Sequence, residues 1–393
     1  MKELINKVKE LSKNQKNVYI YGAGSRGQDL YKIFLENDIK IQGFIITNLI
    51  QTDISVMELP VFGVETINFD ESIIVIGANR RNTIEIIEGL KEKQKSILNV
   101  ICACEYIEKR NLYSDYYTKP TIEITTVIGC KVNCKYCPQN LLLKNYFKDN
   151  MHRDVKMSME TYVTCLKNLP NQCNIKFCGM AEPFLNPLCT DMICEAYQQG
   201  KSIELYTTLV GLDKEGLKKI WDIPMETVVI HVPDERGYAK IPITDEYLEI
   251  LTMALNHKKQ DGTPFVNMCN AQTNPPDEIK EICMKAGYEV LTTMNDRAGN
   301  LADDELVSKY NLEGKLVCTA CGVNLNQNVL LPDGTLLLCC MDYGMKHNLG
   351  NLFHKNYGEI MDSDIVKNIK AAMLGDETAD ILCRQCTYAN IFK

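Results

Sequence analysis

The sequence predicts an α/β protein built from parallel strands and covering helices, and three patterns lead to this class. Short apolar runs alternate with amphipathic helical stretches as far as residue 302, and such alternation favours parallel sheets with both faces covered. Six strand–helix units follow one another between residues 118 and 302, which is typical of a partial or complete α/β barrel. After residue 315 the chain changes to a hairpin signal around Pro332-Asp333-Gly334 and then to loops.

Three domains follow from these patterns, since a chain of 393 residues is long enough for two or three units of the usual ~150 residues. We predict an N-terminal parallel-sheet domain at 1–115, a partial (β/α)6 barrel of the TIM type at 116–305 and a small C-terminal domain at 306–393. Ser114–Pro120 is the best linker candidate. In the first domain the predicted strands are Val18–Tyr21, Ile39–Ile46 and Ser72–Gly77, with a helix at Asn82–Lys93.

The barrel prediction depends on strands and helices of regular length. The predicted strands are Thr121–Thr126, Ile175–Phe177, Ser202–Thr207, Thr227–His231, Phe265–Met268 and Tyr288–Thr292. The predicted helices are Ser158–Asn168, Pro187–Gln199, Asp213–Trp221, Thr244–His257 and Pro276–Ala286. In such a barrel the chemistry lies at the carboxyl ends of the strands.

Charge and cysteine content indicate the compartment. The net charge of −8, from 43 basic and 51 acidic residues, argues against binding to nucleic-acid backbones, since those binders need a basic face. Met1–Lys16 has no apolar core of signal-peptide length, and no apolar run approaches the ~20 residues of a membrane helix. We therefore predict a cytoplasmic protein without a nucleic-acid or membrane partner. There the 18 cysteines are expected to be thiols or metal ligands rather than disulfides.

The first cysteine group, Cys130, Cys134 and Cys137, follows directly on the first barrel strand. Three thiolates in one tight loop can hold three irons of a cubane cluster and leave the fourth iron without a protein ligand. A zinc knuckle or three buried thiols are the alternatives. The place of the loop, at the carboxyl end of a barrel strand, favours the cluster.

This loop resembles the radical S-adenosylmethionine (SAM) superfamily, whose C-x3-C-x2-C signature has an aromatic residue before the last cysteine, here Tyr136. The resemblance implies a [4Fe–4S] cluster that cleaves SAM reductively to a 5′-deoxyadenosyl radical, which then abstracts a hydrogen atom from the substrate. It also implies a reductase, flavodoxin or ferredoxin as electron donor. Cofactor chemistry of this kind leaves positioning and water exclusion to the barrel.

Later strand ends carry further matches to the same superfamily. The run Gly179, Met180, Ala181 and Glu182 resembles the family's "GGEP" strand end, which binds the SAM amino group, although Met180 and Ala181 replace glycines. Thr207 and His231 stand where the next two strands meet the cofactor, and Asp296–Asn300 resembles the loop that faces adenine or substrate. The alternatives are an ordinary acid at a helix start, a structural histidine and a solvated turn.

A second cysteine group lies in the last part of the chain. Its members are Cys318, Cys321, Cys339, Cys340, Cys383 and Cys386. Their spacing around the hairpin resembles the SPASM/twitch domain of radical SAM enzymes, in a shortened form that implies one auxiliary [4Fe–4S] cluster. The ligands so implied are Cys321, Cys339, Cys383 and Cys386. Cys318 is an alternative to Cys321, and Cys340 to Cys339; a structural zinc site is the competing interpretation.

Gly22, Gly24 and Gly27 lie between a strand and a helix, which is the context of a dinucleotide-binding fingerprint. The strand that follows ends at Thr47-Asn48, without the acid that holds the ribose of NAD. The domain resembles small Rossmann-like modules attached to sugar-modifying enzymes. Nucleotide-sugar binding, docking or dimerisation, and NAD(P) binding all stay open.

The function implied is that of a radical SAM enzyme with two [4Fe–4S] clusters. A sugar or nucleotide-sugar substrate, changed by oxidation, epimerisation or deoxygenation, is the first hypothesis because of the N-terminal domain. The second is a maturase acting on a peptide or protein side chain. The third is a non-enzymatic iron–sulfur electron carrier or scaffold.

Overall fold

The computed structural model describes residues 2–13, 16–47, 54–78, 80–93, 95–96, 99–103, 119–292, 297–300, 312–375 and 379–391. The chain forms two compact units, Met1–Ser114 and Asp115–Lys393. The predicted domain boundaries near residues 115 and 305, most of the predicted linker and Asp296 lie outside the described residues. A division of the second unit near residue 305 therefore stays a prediction.

The first unit is a six-stranded sheet in the order β3-β4-β2-β1-β5-β6, parallel except for the edge pair β3–β4. One face packs against apolar residues of α1 and α2, and the other against α3. The elements are α1 Lys2–Ser12, β1 Asn17–Tyr21, α2 Ser25–Glu36, β2 Gly43–Ile46, β3 Ser55–Val56, β4 Leu59–Gly63, β5 Ser72–Ile76, α3 Arg80–Glu92 and β6 Val100–Cys102. With both faces covered, β5 is buried along its whole length, as its unbroken apolar run predicts.

The second unit is organised around a nine-stranded sheet in the order β12-β11-β10-β9-β8-β7-β14-β15-β16. Its first six strands are parallel and follow the order of the chain, as expected for a partial barrel of the TIM type. These strands and helices are β7 Thr121–Ile124, α4 Gln139–Tyr146, α5 Met159–Lys167, β8 Asn174–Phe177, α6 Cys189–Gln198, β9 Ser202–Thr207, α7 Lys214–Ile220, β10 Thr227–His231, α8 Asp245–Asn256, β11 Met268–Ala271, α9 Asp277–Lys285 and β12 Val290–Thr292.

One strand lies three residues later than its apolar run predicts. Phe265 and Val266 are buried, but the side chain of Asn267 accepts a hydrogen bond from Val228 N at 2.7 Å and the ladder with β10 begins only at Met268. The apolar run therefore fills the core as a connection, and the strand itself begins after it.

The C-terminal part continues the barrel sheet. β14 pairs in parallel with β7, and β15 and β16 extend the sheet as an antiparallel meander. A separate two-stranded ladder joins β13 to β17. The elements are β13 Leu316–Cys318, β14 Gln327–Leu330, β15 Thr335–Leu337, β16 Asn348–Asn351, α10 Tyr357–Met361, α11 Asp364–Leu374 and β17 Ala389–Ile391. Within the described residues, no helix combines the length and apolar character needed to cross a lipid bilayer.

Candidate functional site

A cavity of about 540 Å³ lies in the second unit, where side chains from the strand ends converge. One part of its wall is the loop with Cys130, Cys134 and Cys137; another is formed by cysteines of the C-terminal group. Its volume lies in the range of ligand-binding cavities. The structure thus brings both sequence-predicted cysteine groups to one cavity.

The three-cysteine loop is tightly turned. Cys137 N donates to Cys134 O at 2.9 Å, and Asn133 takes the left-handed conformation with φ 43°. The sulfur of Cys130 accepts a hydrogen bond from Glu182 N at 3.4 Å. Burial raises the pKa of Cys130, whereas a hydrogen bond from Cys134 and the nearby Arg297 cation lower the pKa of Cys137. The same hydrogen bond, together with burial, raises the pKa of Cys134, so that one thiol of the loop is more acidic than usual and two are less acidic.

The three thiols of the loop are the donor set that it offers to a metal centre. Among the described residues, no three His, Cys, Asp or Glu side chains converge closely enough for one metal ion. Ligands of a cubane bind separate irons, and in this structure the side chains of Cys134 and Cys137 are close enough for a hydrogen bond. All three sulfur-bearing side chains face the same cavity.

Gly179 allows the backbone after β8 to approach the cavity. It has φ 53°, and a Cβ atom there would lie 2.3 Å from Thr125 Oγ1 and 2.8 Å from Thr125 N. Met180 N donates to Thr125 Oγ1 at 3.0 Å, and Gln139 Nε2 donates to Met180 O at 2.6 Å. The Met180 side chain is buried in a small apolar cluster. Met180 and Ala181, which replace the glycines of the resembling motif, therefore leave the backbone of this turn at the cavity wall.

The carboxylate of Glu182 is 5 % exposed and accepts four hydrogen bonds. Oε1 accepts from Phe184 N at 3.2 Å and Thr207 Oγ1 at 2.6 Å, and Oε2 accepts from Thr208 N at 2.5 Å and Thr208 Oγ1 at 2.7 Å. Burial raises its pKa, and these hydrogen bonds oppose the rise. Thr207, predicted to meet SAM, is instead turned to this carboxylate, and Thr208 faces the cavity.

His231, at the end of β10, faces the cavity and forms a hydrogen bond through Nδ1 to Asn270 Oδ1. Burial lowers its pKa to about 4. The ring is therefore neutral at pH 7, with Nδ1 protonated and Nε2 left as an acceptor.

Two further polar groups of this wall were not predicted from the sequence. Asn270 and Gln272 belong to β11 and its end, and the predicted strand stopped before them. Gln272 is 8 % exposed, and its Oε1 has no hydrogen-bond partner among the described residues. The polar residues after Met268 could have indicated that the strand continues beyond the apolar run.

Arg297 is a further residue that sequence reasoning missed, although the loop containing it was identified. Its guanidinium lies 5.1 Å from the ring centre of Tyr136 and 5.6 Å from that of Tyr343. The Tyr343 hydroxyl is 3.4 Å from the sulfur of Cys137. Arg297 thus brings a positive charge to the three-cysteine loop, where an anionic cluster is predicted.

Five of the six C-terminal cysteines line one small cavity, and the sixth does not. A second cavity, of about 30 Å³, is lined by Cys318, Cys321, Cys339, Cys383 and Cys386. Cys340 is absent from that lining, and it faces the larger cavity, which Glu123 also lines. The four predicted ligands are therefore together, Cys318 lies with them as a fifth thiol, and Cys340 points elsewhere. Five thiols around one small cavity fit an auxiliary cluster.

A row of charged residues was also missed. Glu123, Lys176 and Glu204 are register partners on β7, β8 and β9. Each has apolar residues directly before and after it in its strand, and a charge in that position is the signal that the sequence offered. Glu123 and Lys176 line the cavity.

In the first unit, the glycine loop has the geometry of a close strand–helix turn. Gly22 has φ 108°, and a Cβ on Gly27 would lie 1.8 Å from Gly22 O, whereas a Cβ on Gly24 would meet nothing within 4 Å. Gly27 is thus required by packing. Gly24 leaves open space next to the first turn of α2, as the fingerprint predicts for phosphate approach.

Comparison with known proteins matches residues 321–387 to the family model of SPASM, an iron–sulfur cluster-binding domain. No curated protein matches the chain significantly in sequence. BtrN in complex with AdoMet and 2-DOIA is 16 % identical, with a TM-score of 0.43 over 69 % of this chain and 93 % of that one. SuiB of Streptococcus suis, bound to precursor peptide SuiA, is 12 % identical, with a TM-score of 0.45 over 92 % and 82 %. Native anSMEcpe with bound AdoMet is 12 % identical, with a TM-score of 0.38 over 68 % and 86 %.

These structural likenesses concern the fold alone. The family match covers the segment that contains Cys321, Cys339, Cys383 and Cys386, and it makes this segment similar to an iron–sulfur cluster-binding domain.

Proposed function

We propose that the chain is a radical SAM enzyme that abstracts a hydrogen atom from a sugar or nucleotide-sugar-like substrate, in a net oxidation, epimerisation or deoxygenation. The observation that supports it most is the single cavity bounded by both cysteine groups. Such a cavity places a substrate within reach of two redox centres. A carrier or scaffold needs no cavity of this size between its cysteine groups.

We infer that Cys130, Cys134 and Cys137 hold the SAM-cleaving cluster, whose open iron supplies reductive cleavage of SAM to a hydrogen-abstracting radical when the cofactors are bound. The chain's own part is to bind and orient. Backbone groups of 179–181, set by Gly179, present carbonyls to the methionine ammonium, with Glu182 fixed behind them by four donors.

We place the ribose and adenine of SAM, in this proposal, against His231, Asn270 and Gln272. Neutral His231 offers Nε2 as an acceptor for a hydroxyl. The unpartnered Oε1 of Gln272 is a second acceptor. Both groups would be satisfied by ribose hydroxyls, because a buried acceptor without a donor is unfavourable.

We assign the auxiliary cluster to Cys321, Cys339, Cys383 and Cys386, and propose that it takes an electron from the substrate or passes one to it. A flavodoxin, ferredoxin or reductase is the proposed external donor. We keep the cytoplasm as the proposed location, since thiolate-held clusters require reduced cysteines.

Anaerobic reconstitution followed by reduction with SAM tests the proposed activity. We expect 5′-deoxyadenosine to form, and to increase with a panel of nucleotide sugars and amino sugars more than with peptides. If peptides alone increased the formation of 5′-deoxyadenosine, the sugar proposal would be wrong and the maturase hypothesis would take its place. No SAM cleavage under any condition would contradict an enzyme.

We propose in addition that the N-terminal glycine loop, Gly22, Gly24 and Gly27, binds the diphosphate of a nucleotide sugar. In the full chain, Gly24→Ala is expected to leave the unfolding temperature unchanged and to remove the thermal shift caused by UDP-sugars, because the new methyl group blocks phosphate approach. Gly27→Ala is the contrasting variant, and it should lower the unfolding temperature itself, since its Cβ meets Gly22 O at 1.8 Å. The absence of a thermal shift in the unsubstituted chain with any nucleotide would favour docking instead.

A further inference from the structure

The inner face of the second unit's sheet carries the charged row of Glu123, Lys176 and Glu204. The neighbours of Glu123 and Lys176 along each strand, such as Ile122 and Phe177, are buried in the main hydrophobic core. Because successive side chains of a strand point to opposite faces, the row lies on the face that borders the cavity.

Glu204 and Lys176 are paired with each other within this row. Lys176 Nζ is 3.2 Å from Glu204 Oε2 and 5.2 Å from the ring centre of Tyr206. Glu204 also accepts from Asn174 Nδ2 and from the Tyr206 hydroxyl. Burial by itself lowers the pKa of Lys176, but the carboxylates of Glu123 and Glu204 outweigh it, so that the pKa is raised and the ammonium stays charged.

Glu123 differs from Glu204 because Lys176, whose pKa the Glu123 charge also raises, forms its close ion pair with Glu204. It is 7 % exposed, and among the described residues no cation lies within 4.0 Å of its carboxylate. Its hydrogen-bond donor is the Cys178 thiol, at 3.3 Å from Oε2, and the Cys340 thiol lines the same cavity. Thiols are weak hydrogen-bond donors, and a buried carboxylate is costly unless it is paired and well hydrogen-bonded.

The carboxylate of Glu123 is open to a ligand on the side that faces the cavity. Burial, followed by the Glu123 charge, raises the pKa of Cys178 well above its ordinary value. Glu123 lines the cavity shared by both cysteine groups. A ligand with an ammonium group would give this carboxylate hydrogen bonds in which both donor and acceptor are charged, in place of a bond from a weak thiol donor.

We propose that Glu123 is a substrate-recognition residue that binds a primary ammonium group of an amino-sugar-like substrate. The proposal rests on the proposed function for the identity of the cavity as a substrate site. An ammonium is favoured over a hydroxyl because it neutralises the buried charge as well as donating. Lys176, held by Glu204, does not compete for the same position.

Glu123→Gln tests this role, with Glu226→Gln as the matched control at an exposed position near the start of β10. The probes are D-glucosamine and N-acetyl-D-glucosamine, titrated calorimetrically into the reconstituted holoenzyme with SAM. We expect the unsubstituted protein to prefer glucosamine at least ~10-fold, in line with charge-assisted pairing. Glu123→Gln should remove that preference, and Glu226→Gln should keep it.

The unfolding temperature of the cluster-free chain supplies a second readout. Glu123→Gln is expected to leave it unchanged or raise it, since an undercompensated buried charge is removed. If Glu123 had a structural role, Glu123→Gln would clearly lower the unfolding temperature. A lower unfolding temperature together with an unchanged preference for glucosamine would overturn the proposal. So would a protein that cleaves SAM but shows no preference between the probes. A third outcome separates the two proposals. If the protein does not cleave SAM but Glu123→Gln still removes its preference for glucosamine, the binding role of Glu123 is supported and the proposed function is contradicted.

Discussion

Replacing Cys134 by alanine is expected to abolish SAM cleavage and to remove the iron of one cluster, half of the total. Cys134 stands between the other two thiols of the loop and donates a hydrogen bond to Cys137, which lowers the pKa of that thiol. Its loss leaves two ligands, with the Cys137 thiol harder to deprotonate. Iron analysis and 5′-deoxyadenosine formation are the measurements.

Cys194→Ala is the matched control for this prediction. Cys194 is partly buried on α6 and packs against the main core, away from the residues that line the cavity. It should keep the full iron content and full SAM cleavage. A Cys134→Ala protein that retained both clusters and cleaved SAM would contradict the assignment of the loop.

Local sequence patterns predicted the parallel-strand core and the two cysteine groups because spacing along the chain encodes them. The three-cysteine loop is a single tight turn, so its geometry follows from nearest neighbours. The choice between Cys339 and Cys340 was beyond such reasoning. Adjacent residues point to different sides, and only the packing of the hairpin decides that Cys339 joins the other four thiols while Cys340 faces the larger cavity.

Residues whose roles depend on distant strands were missed for the same reason. Glu123, Lys176 and Glu204 are separated by many residues along the chain, and their alignment comes from strand register. Arg297 reaches Tyr136 and Tyr343 only in the folded unit. A charged residue among apolar neighbours in a strand shows that one face of the sheet carries a polar group. It does not show which residues lie opposite that group.

Gly179→Ala is expected to destabilise the second unit by about 3 kcal/mol, through left-handed strain of ~1–2 kcal/mol together with overpacking of ~1–3 kcal/mol. The new Cβ would lie 2.3 Å from Thr125 Oγ1, 2.8 Å from Thr125 N and 2.9 Å from Ile124 C. Since two of these atoms are backbone, the turn itself must shift. The midpoint of denaturant unfolding, followed by fluorescence of Trp221, the single tryptophan, measures the loss.

Gly200→Ala separates the two causes, because Gly200 has φ 69° but nothing within 4 Å of its Cβ position. It should cost only the conformational part, about 1 kcal/mol. Adding Thr125→Ala to Gly179→Ala should restore little, since the contacts with Thr125 N and Ile124 C persist. In the proposed site the same shift moves the backbone of 179–181, so SAM binding should weaken in Gly179→Ala and stay unchanged in Gly200→Ala. Equal destabilisation by the two glycine substitutions, with SAM binding intact in both, would show that the close approach to β7 does not position the cofactor.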